Sequence, residues 1–328
     1  MSAATSQPGL TALRAILAAA SLSMAGCAGR AASPAFYDTH AHFFTADTQH
    51  YPLDAKGARE GEGTLIERVR AHPNDAARVL HEWRAHHVKG GVGVQYASAY
   101  KRDNRYLLEV HAQHPRDIAA VVILDPLADD TPATLARMTA HAGIAGIRLT
   151  GTASAEGDFP WINSSKADRC WDAARDLGLV VVIMALPAAM SDKQLSAVAA
   201  VADRYPDVPI VLDHIGWALG PAPDYGLDII ARVLAGRRNV FFKFTTINID
   251  MLEKQGGDSA AYLRRAVDLL GAGRMMWGSD FGNTAGPYAE MIAAIQRAGV
   301  QLTPAERRMV FRHTGLRLFR GRHRRGRR

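Results

Sequence analysis

The sequence predicts a single α/β domain folded as a (β/α)8 barrel, and three observations lead to this prediction. The chain has 328 residues, enough for one large α/β domain. Its composition, 48% hydrophobic and 22% charged, is ordinary for a globular protein. Eight short apolar runs alternate with segments of helical spacing, which is typical of parallel strands joined by helices. Eight such units fit a closed barrel better than an open sheet.

The apolar runs are rich in β-branched residues, and several are apolar throughout, as expected of strands covered on both faces. They occupy 36–40, 91–96, 118–124, 144–150, 179–184, 209–214, 240–245 and 275–280. Helical spacing marks 103–114, 167–177, 227–234, 259–270 and 288–298. An open doubly wound sheet is the alternative. It is disfavoured because no G-x-G-x-x-G motif follows the first run.

The carboxyl-terminal end is basic. The net charge is +7, but six of the 39 lysines and arginines lie within 320–328. Without them, 33 basic residues stand against 32 acidic ones, so we expect no nucleic-acid-binding surface. We predict a disordered, solvated tail over 320–328.

The amino-terminal end resembles an export signal. A short, alanine-rich apolar run follows Arg14 and ends two small residues before Cys27. It is too short for a spanning helix and is typical of a signal peptide, with a lipobox-like end that predicts a lipid anchor on Cys27. The alternative is translation from Met24 and a cytoplasmic protein. The other cysteine, Cys170, has the helical spacing of a core residue. The predicted organisation is a signal peptide over 1–27, a linker over 28–35, the barrel over 36–319 and the tail, with the protein anchored at the periplasmic face of a bacterial envelope.

Ionisable side chains stand where several of the apolar runs stop, and in a (β/α)8 barrel function gathers at these ends. His40 and His42 are two apart on one strand, so they face the same way and form half of a divalent metal site. His214 ends the sixth run and Asp280 the eighth. A carboxylate beside metal-activated water is what hydrolysis requires. Taken singly, Asp280 could instead cap a helix, and His214 could be a buried structural histidine.

Three motifs carry a family resemblance: D-T-H-A-H at 38–42, I-V-L-D-H-I-G at 210–216 and W-G-S-D at 277–280. Together they resemble the amidohydrolase superfamily. More narrowly, they resemble its branch of TIM-barrel hydrolases that contains sugar lactonases and 2-pyrone-4,6-dicarboxylate hydrolase. The runs at 91–96, 143–149 and 239–244 are similar to that branch as well, so the resemblance extends over almost the whole predicted domain.

The resemblance implies a role for each site residue. His40 and His42 correspond to metal ligands, and Asp280 to the residue that binds metal and activates water. His214 corresponds to a ligand or to an electrophile that polarises the substrate carbonyl. The implied substrate-binding positions are Arg148, Lys243, Gln95 and Tyr96. The implied cofactor is one divalent ion, with Zn²⁺ as the first choice. The run at 180–187 lacks the histidine that many metal-dependent members carry there, and members that hydrolyse without metal exist.

The function predicted from these features is hydrolysis of a cyclic ester or a similar carbonyl compound that bears a carboxylate. The alternatives are a metal-dependent decarboxylase of the same superfamily and a non-catalytic envelope lipoprotein that binds a ligand. The missing strand-five histidine counts against the decarboxylase, and the set of four ionisable residues counts against the binder. The predicted partner is a small-molecule substrate, and membrane contact is expected only through Cys27. Trp161 either lines the pocket or packs on the barrel rim, and His111 is expected at the surface with the other helix and loop histidines.

Overall fold

The computed structural model describes residue 1 and residues 35–184 and 189–320. The predicted signal peptide, its lipid-anchor Cys27, the alternative start at Met24 and the tail beyond Arg320 lie outside these residues. Within the described part of the chain, no helix has the length and apolar character needed to span a bilayer.

Parallel strands alternate with helices in the predicted order. The strands are β1 (Phe36–Ala41), β2 (Val88–Val94), β3 (Ile118–Ile123), β4 (Gly146–Thr150), β5 (Val180–Met184), β6 (Ile210–Leu212), β7 (Val240–Thr245) and β8 (Met275–Gly278). The helices are α1 (Glu62–Ala71), α2 (Ala76–Ala85), α3 (Ala97–Tyr100), α4 (Arg105–Gln113), α5 (Thr131–Ala142), α6 (Ser165–Asp176), α7 (Asp192–Arg204), α8 (Leu227–Leu234), α9 (Thr246–Lys254), α10 (Ser259–Leu270), α11 (Tyr288–Ala298), α12 (Pro304–Arg308) and α13 (Thr314–Phe319). Side-chain caps begin several of these helices, among them Asp75, Ser164, Ser191, Asp258 and Thr303.

The strands form one sheet in the order β1 to β8, and each strand pairs in parallel with the next. Backbone hydrogen bonds then join the last strand to the first. The amide of Asp280 donates to the carbonyl of His40 at 2.7 Å, and the amide of His42 donates to the carbonyl of Phe281 at 2.9 Å. The prediction of a (β/α)8 barrel is therefore confirmed.

A buried carboxylate reinforces the seam between β8 and β1. Asp38 accepts hydrogen bonds from the amide and the hydroxyl of Ser279, at 2.8 and 2.6 Å. It also accepts from the Trp83 indole at 3.2 Å and from the Tyr288 hydroxyl at 2.9 Å. Burial raises the pKa of Asp38, and the Ser279 donors oppose that shift. The two strands that carry the predicted metal ligands are thus tied together by one side chain.

The core has two parts. A larger cluster lies between the strands and the helices and contains Trp171, Tyr262 and, as predicted, Cys170. A smaller cluster fills the inside of the barrel. Its members come from alternate strand positions and from the last helix: Tyr37, Val92, Val94, Ala119, Val121, Ala145, Val180, Val182, Val211, Phe241, Met276, Leu318 and Phe319. Two residues beyond Val211 and Phe241 lie Asp213 and Lys243, so β6 and β7 lead from this interior cluster to the buried charges of the site.

His111 is a correction to the sequence analysis, because its side chain is buried rather than exposed. Its Nδ1 lies 2.6 Å from the carbonyl oxygen of Ile118, and its Nε2 lies 2.7 Å from that of Ala142. The ring therefore bridges α4 to β3 and to the end of α5. Helical periodicity places this position on an apolar face, but it does not show that the carbonyls of Ile118 and Ala142 lie within hydrogen-bonding distance of the ring nitrogens.

The pair formed by Arg264 and Glu306 yields a stability prediction. The guanidinium donates to both carboxylate oxygens of Glu306, at 2.8 and 2.9 Å. This contact lowers the pKa of Glu306 to about 2. A depressed carboxyl pKa stabilises the fold above the unfolded pKa, and the stabilisation is lost as the pH falls from 4.5 to about 2. In Glu306→Gln the amide oxygen can still accept the capping-box hydrogen bond from Thr303. The effect of this substitution on stability therefore measures the loss of the ion pair with Arg264.

We expect Glu306→Gln to lower the free energy of unfolding by about 1 kcal/mol at pH 7, because the pair is only partly exposed and is bidentate. The loss should shrink towards zero near pH 2. Urea titrations at both pH values measure it. Glu67→Gln, which removes an exposed carboxylate on α1, is the control and should change little. An equal loss for Glu306→Gln at both pH values would show that charge is not the cause.

Candidate active site

Three buried charged side chains lie above the apolar interior of the barrel, towards the carboxyl ends of the strands. Arg148 of β4 donates from Nε to Oδ2 of Asp213 at 2.8 Å. Nζ of Lys243, from β7, lies 3.0 Å from Oδ1 of Asp213. Burial alone would raise the pKa of Asp213, but the Lys243 and Arg148 charges hold it well below its ordinary value. Burial lowers the pKa of Lys243, and Asp213 opposes that shift.

This arrangement bears on two predicted substrate-binding residues. Arg148 and Lys243 each form an ion pair with Asp213, so fewer of their N–H donors remain for a substrate, and Lys243 is fully buried. Their roles towards a substrate remain predictions. Asp213 itself was missed by the sequence analysis, although its place directly before His214 in an otherwise apolar run was a usable signal.

The side chains of His40, His42 and Asp280 meet directly above this charged layer. Nε2 of His40 lies 3.2 Å from Nε2 of His42. Oδ1 of Asp280 lies 3.5 Å from the former and 3.3 Å from the latter. All three side chains are buried, and each offers one ligand atom to a common point. Strand β1 supplies the histidine pair and the seam with β8 brings the aspartate, so closure of the barrel builds the cluster.

The outer nitrogens of the two rings show what the cluster can bind. Nδ1 of His42 lies 2.9 Å from the carbonyl oxygen of Val94, which only accepts, so Nδ1 carries the proton. Nδ1 of His40 lies 3.4 Å from Oδ1 of Asp213 and 3.5 Å from Nζ of Lys243, one an acceptor and the other a donor, so these contacts do not fix its proton. Nε2 of His42 presents a lone pair to Nε2 of His40 and to the Asp280 carboxylate.

Oδ1 of Asp280 has no hydrogen-bond partner among the described residues, although it is buried. Lone pairs this close repel each other unless a cation lies between them, and two imidazole nitrogens with one carboxylate oxygen are a common ligand set for a divalent metal. The residues present fit a metal ion, and His40, His42 and Asp280 are the candidate ligands.

A second group of possible ligands shares one histidine with the first. It consists of His40, Asp213 and His214. The Lys243 ammonium already lies 3.0 Å from Oδ1 of Asp213 and 3.5 Å from Nδ1 of His40. Because a cationic side chain lies among these atoms, the first group is the better candidate for metal. The expectation that His214 is itself a metal ligand remains a prediction.

His214 lies on a strained turn. β6 ends at Leu212 rather than at the predicted residue 214, because the chain enters a left-handed turn. His214, Ile215 and Trp217 have φ of 54°, 49° and 58°. Each such residue costs roughly 1–2 kcal/mol, and strain of this kind concentrates at functional sites. The turn brings the His214 ring to 5.2 Å from that of His40, between ring centroids. Burial lowers the pKa of His214 to about 4, so the ring is neutral at pH 7.

Asp280 is held by the turn that follows β8. Its Oδ2 accepts from Nδ2 of Asn283 at 2.8 Å and from the Thr284 hydroxyl at 2.7 Å. These bonds fix the carboxylate so that Oδ1 faces the histidines. Burial alone would raise the pKa of Asp280, but a proton on the ring of His42, His40 or His214 favours the ionised carboxylate and holds this pKa below its ordinary value. The group therefore stays ionised, as a metal ligand must.

Two further predicted substrate-binding residues follow β2. Gln95 is buried, and its Nε2 donates to the carbonyl of Asp103 at 2.7 Å, so it supports the following loop. The Tyr96 ring lies 4.9 Å from the His42 ring, which places it beside the metal site. The Tyr96 hydroxyl accepts from Arg68 at 2.6 Å. The substrate roles of both residues remain predictions.

Arg68 was missed by the sequence analysis. It is part-buried on α1, and it donates to the carbonyl of Gly282, two residues beyond Asp280, at 2.9 Å. No motif marks it, because its segment is a connection between the first two strands. Trp161, left open between two roles, is buried, and its indole donates to the carbonyl of Thr152 at 2.9 Å, so it packs on the rim loop after β4.

The glycine of the W-G-S-D motif allows close approach of the two seam strands. A Cβ at Gly278 would lie 2.5 Å from Cβ of His40 and 3.0 Å from its amide nitrogen. We expect Gly278→Ala to displace His40, to cost about 1–3 kcal/mol of stability and to weaken metal binding. Thermal denaturation and metal titration measure both effects.

The matched control for that substitution is Gly63→Ala on α1, where an added Cβ would meet nothing within 4 Å in the described part of the chain. We expect it to be neutral or slightly stabilising, because alanine favours helices. Equal behaviour of the two variants would contradict a steric role for Gly278.

Comparison with known proteins shows which family this chain belongs to. The family model Amidohydro_2, described as amidohydrolase, matches residues 37–321. An L-fucono-1,5-lactonase from Burkholderia ambifaria is 29% identical over 190 residues, a match that covers 55% of this chain and 61% of that enzyme.

Two solved structures share the fold. An amidohydrolase from Burkholderia multivorans with bound zinc has a TM-score of 0.65 and 24% identity, covering 87% of this chain and 99% of that one. A Pseudomonas putida protein assigned as a 2-pyrone-4,6-dicarboxylic acid hydrolase has a TM-score of 0.64 and 23% identity, covering 87% and 97%. With the family model matched along nearly the whole barrel, the chain belongs to the amidohydrolase family.

Proposed function

We propose that this protein is a metal-dependent hydrolase that opens lactones or closely related cyclic carbonyl compounds. The observation that carries the proposal is the convergence of Nε2 of His40, Nε2 of His42 and Oδ1 of Asp280 in a buried site at the carboxyl ends of the strands. These three atoms can hold one divalent ion, and the Asp280 carboxylate then lies beside any water bound to that ion. Such an arrangement suits the attack of water on a carbonyl carbon.

The relatives support the substrate class. One relative is an L-fucono-1,5-lactonase, and one structural relative is assigned as a 2-pyrone-4,6-dicarboxylic acid hydrolase. A further structural relative contains zinc. We propose zinc as the ion here as well, because zinc accepts mixed nitrogen and oxygen ligands and leaves a position open for water.

The proposed reaction uses the residues in distinct ways. A divalent ion at this site supplies Lewis acidity, which acidifies water and polarises a carbonyl oxygen. Asp280, ionised and aimed by Asn283 and Thr284, accepts a proton from the attacking water. The water oxygen bonds to the carbonyl carbon, and the ring carbon–oxygen bond breaks. The departing alkoxide takes the proton from Asp280, so a hydroxy acid leaves.

We propose a carboxylate-bearing substrate that enters past Tyr96, with Arg148 as the group that attracts its charge. Arg148 commits Nε to Asp213, and a guanidinium has further donors for an anion. Lys243 and Gln95 are proposed to act from beneath and beside the pocket. A lipid anchor on Cys27 at the periplasmic face of the envelope also stands as a proposal.

A panel of sugar and dicarboxylate lactones, followed with a pH indicator, tests the function. Hydrolysis releases a proton with each turnover, so acidification by the purified protein above the background rate supports it. Release of carbon dioxide from an aromatic acid, with no lactone opened, would point to the decarboxylase instead. Tight ligand binding with no turnover of any compound would point to the binding module.

A further inference from the structure

Behind His214 lies a chain of hydrogen bonds made by Thr245 and Asn248. Nδ1 of His214 lies 2.7 Å from the hydroxyl oxygen of Thr245. The same hydroxyl lies 2.8 Å from Oδ1 of Asn248. All three side chains are buried, Thr245 at the end of β7 and Asn248 in the first turn of α9.

Two backbone groups fix the orientation of the Asn248 amide. The backbone amide of Thr245 donates to it at 3.0 Å, so the atom on that side is the oxygen. The carbonyl of His214 accepts from it at 3.0 Å, so the atom on the other side is the nitrogen. The side-chain orientation therefore follows from partners whose own polarity is not in doubt.

The direction of the remaining bonds follows in order. Oδ1 of Asn248 cannot donate, so the Thr245 hydroxyl donates to it. That hydroxyl has a single proton, so towards His214 it can only accept. Nδ1 of His214 must then carry the ring proton, and in a neutral ring Nε2 is left with a lone pair. A histidine in this form cannot donate a hydrogen bond to a carbonyl from Nε2.

We propose that Thr245 and Asn248 are positioning residues that hold His214 as the Nδ1-protonated tautomer, so that its Nε2 acts as a hydrogen acceptor and not as the electrophile that polarises the carbonyl. This inference rests on the proposed function, and it excludes the electrophile role implied for this residue. His214 accepts a hydrogen bond from the second hydrogen of the attacking water, while Asp280 takes the first hydrogen as a proton. When the new carboxylic acid ionises, that second proton leaves through His214 to solvent.

The tautomer has a direct spectroscopic test. Protein labelled with ¹⁵N in the histidine rings is examined by NMR at pH 7, as purified and after loading with Zn²⁺, and the His214 signals are assigned by their loss in His214→Gln. We expect a protonated Nδ1 and an unprotonated, metal-free Nε2 in both samples. A proton on Nε2 would overturn the inference, and so would coordination of Nε2 to zinc.

Variants test the positioning role. Thr245→Val removes the acceptor for Nδ1, so we expect His214 to shift towards the other tautomer and kcat to fall about 10–100-fold with KM little changed. Thr245→Ser keeps the hydroxyl and should restore both the tautomer and the rate. Thr246→Val is the control, since it removes a neighbouring buried hydroxyl that has no hydrogen-bond partner among the described residues.

A rate loss in Thr245→Val without a change of tautomer would contradict the positioning role. If that variant does not fold, the wild-type spectrum alone still decides the tautomer. The spectrum needs no substrate, so an inactive protein with an unprotonated Nε2 would defeat only the proposed function, whereas an active protein with Nε2 protonated would defeat only this inference.

Discussion

Asp280→Asn should lower turnover about 10²–10⁴-fold while the fold is retained, since loss of a general base typically has an effect of this size. The two oxygens of Asp280 have different surroundings. Oδ2 accepts from Asn283 and Thr284, and Oδ1 faces the two histidine nitrogens. In the variant, the amide oxygen should keep the two donors, which turns the NH2 group towards Nε2 of His40 and His42.

That orientation has two consequences. The variant loses the proton acceptor, and its NH2 group occupies the position where a cation would lie. We therefore expect loss of metal affinity together with loss of rate, and little change in the urea midpoint. Asp250→Asn on α9 is the control, because it removes a part-buried carboxylate that is close enough to Asp280 for that charge to raise its pKa but has no place in the mechanism. A variant with near wild-type kcat would remove Asp280 from the mechanism.

Asp213→Asn is expected to destabilise the fold by about 3–5 kcal/mol, the usual cost of removing one partner from a buried ion pair. The carboxylate offsets two cations, Arg148 at 2.8 Å and Lys243 at 3.0 Å, and both are buried. An amide of the same shape keeps some hydrogen bonding, but it leaves both positive charges without a counter-charge in the barrel.

Denaturant unfolding monitored by tryptophan fluorescence measures this cost. Asp203→Asn is the matched control, because its pair with Arg237 is largely exposed on the aspartate side. Exposed pairs contribute about 0–1 kcal/mol, so that variant should be close to wild type. A decrease in the free energy of unfolding of less than about 1 kcal/mol in Asp213→Asn would contradict this expectation. It would mean that Lys243 loses its proton in the folded state, so that fewer buried charges depend on Asp213.

Most of the fold could be predicted from the sequence, because strand and helix periodicities differ strongly. β7 and the helices α8, α10 and α11 have the predicted bounds. Two strands differ most from their predicted bounds: β2 was predicted over 91–96 and spans Val88–Val94, and β6 was predicted to reach residue 214 and ends at Leu212. A left-handed turn through the β-branched Ile215 runs against local preference, so only tertiary packing explains it.

The site was predictable in part, for an analogous reason. Strand spacing brings His40 and His42 to one side, and closure of the barrel brings Asp280 beside them. Spacing does not show what surrounds a side chain. It therefore does not predict that Gln95 supports a loop or that Arg148 donates to Asp213. Those features depend on partners 8 and 65 residues away in the chain.

We expect hydrolysis to require a metal ion held by His40, His42 and Asp280. The most direct measurement is the rate of opening of the best lactone of the panel by one preparation, as purified, after chelation and after return of Zn²⁺. We expect chelation to lower the rate towards that of Asp280→Asn and zinc to restore it. An unchanged rate in protein that elemental analysis shows to hold well under one equivalent of metal would contradict it.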